Sequence, residues 1–184
     1  NSGAAAGAGA GTTPDAALPG KREAQALSTR RRIIDAAREL FAARGYAATS
    51  TGQVLERTGV ARGALYHHFA DKAELFAAVC ETLHGEVTTV LLDAVHDTAA
   101  GGGDAFDRLL AGCDAWLDAM ASGDARRLLV IEAPAVLGWE RWNDLDQRHG
   151  FALLRAGIQA TQAEGSLPPI PEETLAILLN GAMN

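Results

Sequence analysis

Three pairs along the chain set an acid three residues before a histidine: Glu81 with His84, Asp93 with His96 and Asp146 with His149. On a helix this spacing puts both side chains on one face, as in the bundles that hold two metal ions with carboxylates and imidazoles. Such a centre also takes two further inward glutamates from other helices, and the pattern offers no place for them. Cys80 and Cys113 each stand alone without C-x-x-C spacing, so neither a zinc site nor a disulfide framework is signalled, and a reducing cytoplasm is the expected compartment. Gly101, Gly102 and Gly103 follow no strand, unlike a phosphate-binding loop, and no nucleophile motif appears. The expectation is no catalytic residue, no metal and no cofactor, with a helical metalloenzyme as one rival reading.

A second group of residues suits DNA. Ser50 to Phe69 reads as two short helices joined by a glycine-containing turn, the second opening on small and polar residues, which is the geometry that lets a helix enter the major groove. Any pair of packed short helices can imitate this spacing. Within it, Arg62 can reach a guanine edge or a phosphate, while Gly63 and Ala64 are small enough to let the backbone approach the groove. Tyr66 and His67 fall on the exposed side, Thr51 can turn its hydroxyl and N–H to phosphate, and Lys72 at the next helix start can pair with phosphate. Arg30, Arg31 and Arg32 would extend that edge. The competing readings are a half-buried aromatic for Tyr66, plain surface for His67 and His68, and a solvated charge run for the arginines.

The charge of −7 argues against nucleic acid only if taken as one number. From Thr29 to Lys72 there are eight basic and four acidic residues, a balance of +4; from Ala73 to Asn184 there are six and seventeen, a balance of −11. A basic segment suits a phosphate backbone, and an acidic remainder would be turned away from it. Only Lys21 and Lys72 are lysines, and this arginine bias with the Ala and Gly richness fits a GC-rich genome such as an actinobacterium's. No apolar run is expected to reach the roughly 20 residues that cross a bilayer. The chain opens on Asn1 and stops at Asn184 inside an apolar helical pattern, which reads as part of a longer protein.

These residues need an all-helical scaffold. The mix favours helix nearly everywhere and disfavours strand. Residues 1–27 are expected as a disordered tail, 28–73 as the helix-turn-helix domain and 74–184 as a larger helical domain. Helices are expected from Ser28 to Gly45, from a Ser50/Gln53 capping box to Gly59, from Arg62 to Phe69, and from Lys72 to Thr98. Further ones are expected from Asp104 to Ala121, from Ala125 to Ala133 with Pro134 as the stop, from Trp139 to Glu164, and from Glu172 onward.

The string Gly-Val-Ala-Arg-Gly-Ala-Leu-Tyr-His-His-Phe-Ala-Asp-Lys-Ala-Glu-Leu, from Gly59 to Leu75, resembles the DNA-binding domain of TetR-family regulators, densely so over residues 30–76. Gly52 and Ala61 depart from the family's usual longer polar residue and capping serine. Ala133 to Trp142 looks like the C-terminal domain of some members. The resemblance implies a dimeric, ligand-responsive repressor on double-stranded, inverted-repeat operator DNA, paired through its C-terminal helices and released by a small apolar or amphipathic effector. It implies a pocket in the region of Trp116, Met120, Leu128, Val136, Leu137, Trp139, Trp142, Phe151 and Leu154, residues that are also ordinary core types. A DNA-binding protein without small-molecule control is the other rival.

Overall fold

The computed structural model describes residues 20–121 and 123–183, and among them there is no strand. The expected tail lies outside the described residues as far as residue 19. Helix α1, Lys21–Arg44, begins seven residues before Ser28. Lys21 to Leu27 are strong helix formers, and the stretch stays helical with every one of them exposed, so propensity and propagation from the packed part of α1 suffice without a buried face.

Helix α2, Thr51–Thr58, opens on the expected capping box, with the Gln53 N–H donating to Ser50 Oγ at 3.2 Å and the Ser50 N–H to Gln53 Oε1 at 2.9 Å. Helix α3, Arg62–His68, starts at Ala61 without a side-chain cap. Helix α4, Lys72–Ala100, is capped by Asp71, whose carboxylate accepts the Glu74 N–H at 2.8 Å. Helix α5, Ala105–Ala121, packs along α4 as the largest helix pair in the molecule. By length and average composition α4 is apolar enough to cross a membrane, but Glu81, His84, Glu86 and Asp93 interrupt its apolar residues, and half of its most apolar window is buried in the fold.

Pro134 does not end a helix. A short α6, Gly123–Ala125, runs into a π-helix, Arg126–Glu132, and on into α7, Ala133–Leu137, with Pro134 in its first turn. The Ala133 N–H bonds Leu128 O, five residues back. In that register the next carbonyl, Leu129 O, would await the N–H that proline lacks, and the Trp142 indole N–H fills the vacancy at 2.8 Å. The long helix expected from Trp139 to Glu164 is two, α8 at Trp139–Arg148 and α9 at Gly150–Ala163, broken at His149 (φ −116°, ψ −100°). Gly150, the first residue of α9, lies close against Trp116: a Cβ there would stand 3.2 Å from the ring. Helix α10, Glu172–Met183, closes the order.

One core crosses the boundary expected at residue 73. Ile33, Phe41, Val54 and Leu65 are continuous with Phe76, Val79, Leu83, Trp116, Leu128 and Leu145. A smaller core joins Leu109, Phe151, Leu154, Ile158 and Ala176 between α5, α9 and α10. Trp142→Phe keeps the aromatic packing but strands Leu129 O, and is expected to cost about 1–3 kcal/mol. Urea unfolding checks this; an unchanged midpoint would show that the π-helix does not depend on the indole bond.

Candidate nucleic-acid interface and ligand cavity

Leu65 and Phe69 turn into the core with Val54, Ile33 and Phe41, which fixes the pose of α3 and leaves its other side outward. Arg62, Gly63, Tyr66 and His67 are exposed, and Ala64 is half-buried. Tyr66 is not a core aromatic. Its hydroxyl lies 3.3 Å from Thr51 Oγ1, and the Arg62 guanidinium sits over its ring at 5.5 Å. The Thr51 hydrogen bond, with help from Arg62, draws the phenol below its ordinary pKa against a smaller opposing effect of burial. Thr51 and Arg62, the first residues of α2 and α3, thus meet on Tyr66, and nothing lies within 4 Å of where a Gly63 side chain would begin. His67 adjoins His68, which burial, His67 and Arg30 hold below the usual imidazole pKa.

Lys72 stands apart from this group. Its ammonium donates to Tyr46 O and Thr49 O, both at 2.9 Å, and lies 4.1 Å from the centre of the Tyr46 ring. The structure therefore commits two of its three donors to the turn between α1 and α2. Two of the three arginines expected at a phosphate edge are also engaged within the fold. Arg32 donates to Thr58 O at 2.8 Å, closing the C-terminus of α2, and Arg30 covers the Phe69 ring at 5.3 Å. Arg31 is exposed.

The same turn is gripped from the other domain. Glu132 Oε2 accepts the Tyr46 N–H at 2.8 Å, Glu132 Oε1 pairs with Arg127 Nε at 3.1 Å, and Arg127 Nη1 donates to Ala42 O at 2.9 Å. Gly45 lies beneath them at φ 84°, a left-handed conformation that favours glycine. Sequence reasoning missed this pair. Residues five apart point away from each other on an α-helix, and only the π-helix brings Arg127 and Glu132 to one side.

A cavity of about 260 Å³ lies between α4, α5, α9 and α10. Of the residues expected around a pocket, Trp116 and Leu154 line it. Met120, Leu128, Val136, Leu137 and Trp142 belong to the main core instead, Phe151 to the smaller one, and Trp139 is 67% exposed. Their size and apolarity are those of core residues, and helical spacing alone could not tell which faces turned inward to a void.

Two of the acid-x-x-His pairs meet beside this region. His149 Nε2 lies 3.0 Å from Glu81 Oε1, and its ring stacks on His84 with centres 5.4 Å apart. Burial pushes the His84 pKa down to about 4, so it is neutral at physiological pH. Asp146 accepts from Asn180 at 2.9 Å, and burial raises its pKa despite that bond. Stacked rings do not converge on a point, and among the described residues no three His, Cys, Asp or Glu side chains form a metal-holding group.

A helix-turn-helix unit joined to a larger helical domain that holds a cavity defines a class of bacterial regulators. Residues 33–79 match the family model "Bacterial regulatory proteins, tetR family", and residues 106–184 match "Tetracyclin repressor-like, C-terminal domain". The chain belongs to the TetR family of transcriptional regulators, not to an enzyme family. A TetR-family regulator from Pectobacterium atrosepticum is similar in structure, with a TM-score of 0.71, 32% identity and coverage of 87% of this chain and 80% of that one. The HTH-type transcriptional regulator AcrR of Shigella flexneri is 37% identical over 73 residues, 40% of this chain, and the match spans only 34% of AcrR. The transposon Tn10 TetC protein of Escherichia coli is 24% identical over 84% of this chain and 76% of its own length.

Lys72→Met removes the two carbonyl bonds while keeping the stem, and is expected to cost about 2 kcal/mol of stability. The check is the midpoint of thermal unfolding followed by circular dichroism. Unchanged stability together with weakened DNA binding would return Lys72 to the phosphate contact that its position first implied.

Proposed function

We propose that this protein is a ligand-responsive repressor that binds an inverted-repeat operator as a twofold dimer and is released by a small molecule. The observation that carries the DNA-binding part is the joined outward face of Thr51, Arg62 and Tyr66, with Gly63 open between them. Thr51 and Tyr66 suit phosphate, which sets register, and Arg62 suits a guanine edge, which reads sequence. His67 and Ala64 flank that contact. Lys72 acts mainly by holding the turn that aims α2, with one donor left for phosphate.

Supporting dimerisation, α10 leaves Ile177 and Leu178 exposed at 57% and 66%, although it also turns Ala176 into the smaller core. A second copy pairing on the C-terminal helices would cover them and set two recognition helices for two half-sites. Release follows as a population shift: a ligand in the cavity favours an arrangement of α4 and its neighbours that no longer fits both half-sites. The cavity favours this over DNA binding without small-molecule control, and the bonds from Arg127 and Glu132 to the α1–α2 turn give the larger domain a rigid hold on the smaller one.

Selection from a random duplex library should recover an inverted repeat. On that DNA at fixed salt, Tyr66→Ala should weaken binding on the order of tenfold with the melting temperature unchanged. Arg62→Ala should relax preference at one base pair in each half-site, and a uniform loss on all sequences would make Arg62 a phosphate contact. Light scattering should show a dimer at micromolar concentration; a monomer with and without DNA would overturn both the pairing and the release mechanism.

A further inference from the structure

Side chains, more than backbone, fasten the α8–α9 junction to α4. The chain leaves the helical path at His149, and four contacts hold it there. Arg148 Nη2 donates to Glu81 at 3.2 Å, and His149 Nε2 lies 3.0 Å from the same carboxylate. Thr88 Oγ1 is 3.5 Å from His149 Nδ1, and the His84 ring stacks on that of His149 at an interplanar angle of 12°. Gly150 and Leu153, next along the chain, line the cavity, so the same contacts hold one of its walls. On its other side α4 is held independently, by the core it shares with the first three helices.

His84 is the member of this group whose charge and burial are most at odds. It is 2% exposed, and neither ring nitrogen has a hydrogen-bond partner in the protein. An imidazolium there would add a full charge and a second donor to a site with no acceptor for either. Burial comes first in pushing its pKa from 6.5 down to about 4; His149 and Arg148 add to that, and Glu81 opposes it. Burial would raise the Glu81 carboxyl too, but the His149 hydrogen bond and the Arg148 charge bring it below its ordinary value, so Glu81 stays ionised. Across the adjoining core, α5 contributes Ala115, Trp116, Ala119 and Met120, none of them charged, while Asn180 of α10 bonds Asp146.

Any conformation that exposes the His84 ring therefore binds protons better than the closed one. The closed form keeps its full advantage above about pH 6.5 and loses it as the pH falls toward about 4. Asp146 works the other way: its raised pKa makes the closed form the better proton binder, so acid favours closure through that group.

We propose that the His84–His149 stack is an acid-operated latch. At neutral pH it closes the α8–α9 junction and the adjoining cavity wall onto α4, and a proton taken up by His84 releases them while the core of the first three helices stays in place.

Hydrogen–deuterium exchange followed by NMR on the whole protein tests the latch, with rates expressed as protection factors so that the intrinsic effect of pH divides out. The Leu153 and Leu154 amides should lose protection on the order of tenfold per pH unit below about pH 6.5, while Ile34 and Val79 keep theirs. In His84→Phe, which keeps a ring in the stack but takes no proton, Leu153 and Leu154 should show no such loss. An equal loss in the variant, no loss in the wild type, or a parallel loss at Ile34 and Val79 overturns the latch. Should the variant fail to fold, the ring signals of His84 in the wild-type protein decide. They should still report a neutral ring at a pH where an exposed imidazole is half protonated, and a titration centred on the ordinary value overturns the proposal.

Discussion

The turn from Gly45 to Thr49 carries backbone groups that neither α1 nor α2 can satisfy, and the rest of the molecule is arranged around pairing them. Buried peptide groups left unbonded cost as much as lost hydrogen bonds, so each must find a partner from elsewhere. Thr49, buried itself, turns its hydroxyl back to Gly45 O at 2.8 Å and also reaches Leu40 O at 3.2 Å. Lys72 supplies donors from the first turn of α4, and Glu132 supplies an acceptor from the π-helix. Two distant parts of the chain therefore converge on these five residues, and the pose of α2 and α3 follows from their agreement.

This convergence explains why the molecule does not divide cleanly into two independent domains. The N-terminal half of α4 belongs to the core of the first three helices, where Phe41, Tyr46 and Phe76 pack edge to face, while its C-terminal half walls the cavity. Helix α4 is thus a structural member of both parts. Arg38 adds an ionic tie, bridging Glu86 on α4 at 2.5 Å and Asp124 on α6 at 3.1 Å. These groups are partly exposed, so the tie adds orientation more than stability.

The polar cluster behind the cavity shows how similar spacing can serve a different end. Glu81, His84, Asp146 and His149 come together from α4 and the α8–α9 junction, as the acid-x-x-His spacing allows, but they do so in pairwise contacts. Arg148 joins at Glu81, and Asn180 from α10 joins at Asp146, so the cluster knits the broken helix to its neighbours. His84 contributes a neutral ring stacked in the interior, and both its nitrogens are buried without a hydrogen-bond partner.

Much of this was legible in the residues themselves. Periodicity, the Ser50–Gln53 box, the glycine stops and the Gly59–Leu75 string determine an all-helical protein whose α3 turns Arg62 and Tyr66 outward, because local spacing decides which face of a short helix can be buried. What lay beyond local spacing was decided by partners far along the chain. Lys72 and Arg32 look like phosphate ligands until carbonyls 23 to 26 residues away claim them. Pro134 looks like a stop until a π-helix and the Trp142 indole accommodate it, and Trp139 through Glu164 looks like one helix until the chain breaks at His149. The cavity is the extreme case: a void is bounded by which of many similar apolar side chains fall short of one another, and that depends on the packing of four helices at once.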